Sequence, residues 1–138
     1  MSGLVRFGVS LEKELLEKLD NLRRAKGYPT RSEAIRALVR QEEVKRQWSG
    51  GDEVVGAVSL VYDHHRRELI NKITSIQHDY GRYIIASQHV HIDHHNCLEI
   101  IAVKGKPEKV QELADRLKSV KGVKHGSLSM ATTGKHLG

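Results

Sequence analysis

His78-Asp-Tyr-Gly-Arg-Tyr-Ile-Ile-Ala-Ser-Gln-His89-Val-His91-Ile-Asp-His-His-Asn-Cys97 is the stretch that decides how the chain is read. It holds the only cysteine and five of the nine histidines. His89 and His91 close a run rich in Ile, Val and Tyr. As a strand, that run directs both imidazoles to one face, because side chains alternate. The polar quartet Asp93-His94-His95-Asn96 then leads into a second apolar run, Cys97 to Val103. This pattern predicts a hairpin that returns Cys97 towards the two histidines. Two imidazoles and a thiol suit a borderline or soft divalent transition metal, whereas magnesium and calcium want oxygen. His94 and His95 stand at the turn tip and read as solvated. The ordinary meaning of a single strand histidine is a half-exposed polar residue; His-x-His with a nearby cysteine is the rarer pattern that favours a metal.

Working outward, the segments around the hairpin complete a module. Glu53 to Tyr62 is valine-rich and predicts a strand. His64 to His78 predicts a helix with Leu69, Ile70, Ile73 and Ile76 inward. Pro107 to Ser119 predicts a second helix, with Pro107 in its first turn and Val110, Leu113, Ala114 and Leu117 inward. Val123 to Met130 predicts a last strand, and Ala131 to Gly138, with His136, a frayed tail. The order is βαββαβ, a ferredoxin-like unit of the ACT type. Fold alone assigns it no ligand.

Ahead of this module, Leu4 to Ser10 alternates. Val5, Phe7 and Val9 share one face; Arg6, Gly8 and Ser10 share the other. A lone strand needs a mate, and a second copy of the chain is the natural one. Leu11 to about Ala25 predicts a helix capped by Ser10 and stopped by Gly27. Thr30 with Glu33 forms a capping box for a second helix reaching about Arg46, with Ala34, Ile35, Leu38 and Val39 inward. Gln47-Trp-Ser-Gly-Gly51 reads as a flexible linker. The expected division is therefore 1–48 and 52–138.

Composition narrows the function. The 138 residues carry a net charge of +6, and residues 1–50 contribute 11 basic and 7 acidic side chains. That balance favours a polyanionic partner. One cysteine makes no internal disulfide and fits a reducing cytoplasm. No secretory signal and no membrane-spanning run are visible, so a cytoplasmic protein without a membrane partner is expected. One Trp and one Phe argue against base stacking on single strands.

Residues 1–46 resemble the ribbon-helix-helix DNA-binding fold, with Arg31-Ser-Glu-Ala-Ile-Arg36 similar to that family's second-helix opening. The resemblance implies that two strands of a dimer form a ribbon in the major groove. Arg6, Gly8 and Ser10 would then face base edges. Thr30, Arg31 and Ser32, at a helix N-terminus, would hold a phosphate. The whole chain, reader plus linker plus ligand-rich module, resembles the nickel-responsive regulator family. The family's ligand spacing is eleven residues from His to His-x-His and six more to Cys. His78, His89, His91 and Cys97 meet it. Gln77-His78, His89-Val-His-Ile92, Cys97-Leu-Glu-Ile100 and Gly122-Val-Lys-His-Gly126 match its flanking words.

The resemblance implies one nickel(II) per subunit, square-planar, held by His89, His91 and Cys97 of one chain and His78 of another. It also implies a homotetramer built as a dimer of dimers, and repression of nickel-uptake genes through a palindromic double-stranded DNA operator. Glu99, on the Cys97 face, is placed to orient a ligand imidazole. Arg66 and Arg67 match family positions that touch the DNA backbone. A potassium-type site between the family's domains uses two carboxylates; Glu33 matches one, and Ala37, at the other, has none to offer. His64, His65, His94 and His95 are left over as possible weak metal positions. Geometry supports the shared site independently. From Arg82 to His89 is seven strand steps, roughly 23 Å, too far for His78 of the same chain to reach. Two alternatives stand beside this reading. One is a copper or zinc sensor of the same architecture. The other is an enzyme with Cys97 as nucleophile and His89 or His91 as base, which leaves the DNA reader unexplained.

Overall fold

The computed structural model describes residues 3–137. It divides into two compact units, Met1–Glu42 and Glu43–Gly138.

In the first unit, residues 3–12 form neither helix nor strand. The strand expected at 4–10 has no ladder partner among the described residues, so strand hydrogen bonds do not form there. Its apolar side chains are bare: Leu4 is 90% exposed and Phe7 74%. Helix α1, Lys13–Lys26, starts two residues later than expected, after Glu12 and without a side-chain cap. It stops at Gly27, whose φ of 78° is left-handed. There the N–H groups of Gly27 and Tyr28 reach back to the carbonyls of Arg24 and Arg23, a glycine-dependent closure. Helix α2, Arg31–Ser49, opens where the N–H of Glu33 donates to Thr30 Oγ1 at 3.1 Å. The reciprocal half of the expected capping box is replaced, because the Glu33 carboxylate pairs with Arg36. Phe7, Val9, Leu15, Leu19, Ile35 and Leu38 are among the residues lining an open apolar groove of about 470 Å³. Ala34 is the one buried residue among those described in 3–42.

The second unit begins inside α2. Gln47 and Trp48, expected in a linker, are helical and buried. The indole N–H of Trp48 donates to Ala131 O at 2.8 Å, and Gln47 bonds Lys135 O and Thr132. The same bonds tie down Ala131, Thr132 and Lys135 of the tail that was expected to fray, whose last residue, Gly138, lies outside the described residues. A buried indole body with a satisfied N–H outweighs the flexibility that Ser49-Gly50-Gly51 would otherwise confer.

Beyond it lie β1 (Val54–Asp63), α3 (Arg67–Asp79), β2 (Ile84–His91), β3 (Asn96–Gly105), α4 (Pro107–Lys118) and β4 (His125–Met130). The sheet order is β2-β3-β1-β4 and every pairing is antiparallel. That is the ferredoxin-like arrangement anticipated for this element order. Val54, Val58 and Leu60 of β1 and Ile101 and Val103 of β3 point to one face. Leu69, Ile73 and Ile76 of α3 and Val110, Leu113 and Leu117 of α4 cover it. Full burial of each such side chain contributes about 1.5–3 kcal/mol. Ile70, expected inward, is only half-buried. Gly122, in the turn before β4, has φ +100°, and a Cβ there would lie 2.7 Å from Leu69 Cδ1. The turn can bring β4 against β1 only with glycine at that point. No helix among the described residues is long and apolar enough to cross a membrane.

Candidate metal centre

The β2–β3 register positions the candidate ligands. His91 stands opposite Cys97 and His89 opposite Glu99. Alternation then sets His89, His91, Cys97 and Glu99 on one face of the sheet. β2 is an edge strand with nearly every residue exposed, so the two imidazoles are open while Cys97 is buried. Burial pushes the Cys97 thiol up, and the nearby Glu99 adds to the shift.

Glu99 is 1% exposed and fully engaged. Its carboxylate accepts from Tyr62 Oη at 2.6 Å and from Gln77 Nε2 at 2.8 Å. His89 Nε2 lies 3.3 Å from Glu99 Oε2. Tyr62 was not anticipated from sequence. The signal was available: Tyr62 sits at even spacing from Val54 on β1 and is therefore inward, where a phenol needs an acceptor. Burial first, then the Glu99 hydrogen bond, raise its phenol well above the usual range.

The backbone thus gathers His89, His91 and Cys97, but the side chains do not converge on one point. His89 faces Glu99, and His91 packs against His64 with ring centroids 4.9 Å apart. His78 is exposed in the last turn of α3. A 3₁₀ turn, Gly81–Tyr83, replaces the expected start of the strand. Five steps from Ile84 to His89 span roughly 16 Å along the strand, but α3 folds back over the sheet, and Gln77, next to His78, reaches the same Glu99 oxygen that His89 faces.

Among the described residues, His65, His94 and His95 are the set of three whose ligand atoms all lie within 4.8 Å of one another. His64 to Arg66 form a turn before α3 rather than its first residues. That difference frees His65 to face the hairpin tip.

The candidate DNA-facing residues are exposed: Arg6, Gly8, Ser10, Thr30, Arg31, Ser32, Arg66 and Arg67. Arg31 is not free, because its guanidinium forks onto both oxygens of Asp20 at 2.9 Å. That bond holds the Asp20 carboxyl below its usual range.

Comparison with known proteins accounts for both units. The family model described as NikR C terminal nickel binding domain matches residues 55–131. The one described as ribbon-helix-helix protein, copG family, matches residues 5–46. Curated relatives share the name "Putative nickel-responsive regulator". That of Syntrophus aciditrophicus is 52% identical, covering 98% of each chain. That of Chlorobium limicola is 54% identical, covering 97% of this chain and all of its own. That of Pyrococcus furiosus is 51% identical, covering 98% of this chain and 99% of its own. An uncharacterised protein from Thermotoga maritima matches 59% of this chain and all of its own with a TM-score of 0.53 and 11% identity, a likeness of fold alone. These matches set aside the thiol-nucleophile enzyme: the chain belongs to the nickel-responsive regulator family of transcriptional regulators.

Proposed function

We propose that this chain, a nickel-responsive DNA-binding regulator, represses nickel-uptake genes as a cytoplasmic homotetramer on a palindromic operator. The observation that carries the reading is the β2–β3 register, which sets His91 against Cys97 with His89 on the same face. Two imidazoles and a thiolate are a donor set for Ni(II) or Cu(II) in a square plane. His78, exposed at the end of α3, supplies the fourth donor from another subunit, one nickel per chain. Nickel would be held by these four side chains and would supply the Lewis-acidic centre that links them.

The chain's own residues do the rest. Glu99, fixed by Tyr62 and Gln77, orients the His89 ring and so its tautomer. The bare apolar face of residues 4–9 and the open groove of α1 and α2 support dimerisation. A unit of about 40 residues rarely buries enough surface to stand alone. In the paired ribbon, Arg6, Gly8 and Ser10 face base edges, and Thr30, Arg31 and Ser32 a phosphate. Arg66 and Arg67 add backbone contacts. The metal regulates only by favouring the DNA-competent arrangement.

The test is selection from random double-stranded DNA with and without Ni(II). An inverted repeat enriched only with nickel is expected. Equal enrichment without nickel would remove the metal from the DNA response. A stronger response to Cu(II) or Zn(II) at matched occupancy would favour the other sensor.

A further inference from the structure

Two loops of the second unit are clipped together. The N–H of His64 donates to His95 O at 3.0 Å. The ring nitrogens Nε2 of His64 and His65 both lie within hydrogen-bond distance of His94 O, at 3.0 and 2.9 Å. Each loop is also braced by its own aspartate: Asp63 Oδ1 accepts the N–H of His65, and Asp93 Oδ1 accepts those of His95 and Asn96, at 2.8–2.9 Å. One backbone bond, His64 N–H to His95 O, therefore holds the turn between β1 and α3 against the hairpin tip whatever the imidazoles' protonation.

This clip packs three exposed imidazoles. Ring centroids are 5.6 Å apart for His65 and His94, 5.8 Å for His65 and His95, and 4.9 Å for His94 and His95. We propose that His65, His94 and His95 form a second, solvent-facing site for a borderline divalent transition metal, separate from the Cys97 centre. Imidazole nitrogens suit Ni(II), Zn(II) and Cu(II), and no oxygen cage for Mg(II) or Ca(II) is present at this cluster. Nitrogens around a metal at 2.0–2.1 Å lie about 3.3 Å apart in a tetrahedron. The observed spread of up to 4.8 Å closes by rotation of side chains that nothing encloses, and water completes the coordination. The carboxylates of Asp63 and Asp93 lie in the same loops and make the surroundings favourable to a cation. His64 is left out of the set because its ring also leans on His91. It stands between the two centres.

The experiment is a Ni(II) titration of the full chain without an added histidine tag, read by calorimetry, native mass spectrometry and absorbance. Wild type is expected to take two equivalents per chain, with the thiolate charge-transfer band complete after the first. His94→Ala/His95→Ala should lose the second equivalent and keep the band. Cys97→Ala should lose the band and keep one equivalent, and His136→Ala should change nothing. A double variant that still takes two equivalents, or a wild type that takes one, overturns the second site. Absence of the band in wild type, with the second equivalent still lost on substitution of His94 and His95, would instead overturn the Cys97 centre alone.

Discussion

Tyr62 donates its phenolic hydrogen to Glu99 at 2.6 Å, across the β1–β3 pairing and under α3. Gln77 donates to the other oxygen of the same carboxylate. Glu99→Ala leaves the buried Tyr62 hydroxyl and the half-buried Gln77 amide without their acceptor, and a buried unsatisfied group costs about 1–3 kcal/mol. Urea unfolding of the variant should show a loss of about 2 kcal/mol or more. Glu99→Gln keeps the shape and loses the charge beside His89. Its nickel affinity should fall by roughly 10–100-fold in a competition titration. An unchanged affinity would make Glu99 a purely structural group.

Cys97→Ser tests the thiol. A hydroxyl is a poor donor to a borderline metal, so the nickel-thiolate band should vanish while far-UV circular dichroism stays that of a folded module. A spectrum identical to wild type would take Cys97 out of the coordination set.

The proposal that His78 and Cys97 of different chains share one metal calls for complementation. His78→Ala chains and Cys97→Ala chains, each deficient alone, should regain some nickel sites when mixed and allowed to exchange subunits. Mass spectrometry verifies the exchange. No recovery in verified mixed oligomers would place all four donors in one chain.

Arg6→Ala should remove sequence-specific DNA binding and spare nickel binding. A bidentate guanine contact is worth about 1–3 kcal/mol, and a symmetric dimer has two. The loss should be at least ~30-fold in a gel shift on the selected site. Equal affinity would show that Arg6 does not face the bases.

Asp93 gives a pH signature. The N–H groups of Asn96 and His95 hold its carboxyl down at about 2, below the usual value near 3.9. A depressed carboxylate contributes stability that is present above about pH 4 and lost as the pH falls towards 2. Asp93→Ala should melt lower than wild type at pH 7, and the two melting curves should converge by about pH 2. A gap independent of pH would exclude the carboxylate's charge as its source.

Much of this was legible in the residues. Period-2 alternation sufficed to pair His89 with His91 and to return Cys97 to their face, because register in a half-buried hairpin is fixed by which side is apolar. The Gly27 stop and the Thr30 start followed from local chemistry. What alternation cannot supply is rotamer choice and loop-to-loop contact. Neither the Glu99–His89 approach nor the meeting of His65 with His94 and His95 is local in sequence. Trp48 misled for a similar reason: Ser49-Gly50-Gly51 argues for flexibility at short range, while the indole's partner, Ala131, lies 83 residues away. The strand expected at 4–10 is a different case: alternation predicts it, but no described residue of this chain pairs with it.

Trp48 is the only tryptophan, and it is 5% exposed in the second unit. It therefore acts as an intrinsic optical reporter of one unit and is silent on the other. Its emission should shift to the red when the Ala131 bond breaks and water reaches the indole. Helical circular dichroism, by contrast, sums α1 and α2 with α3 and α4. Denaturation followed by both signals would separate the melting of the metal module from that of the DNA reader without a label, and coincident curves would mark a chain that unfolds as one cooperative body.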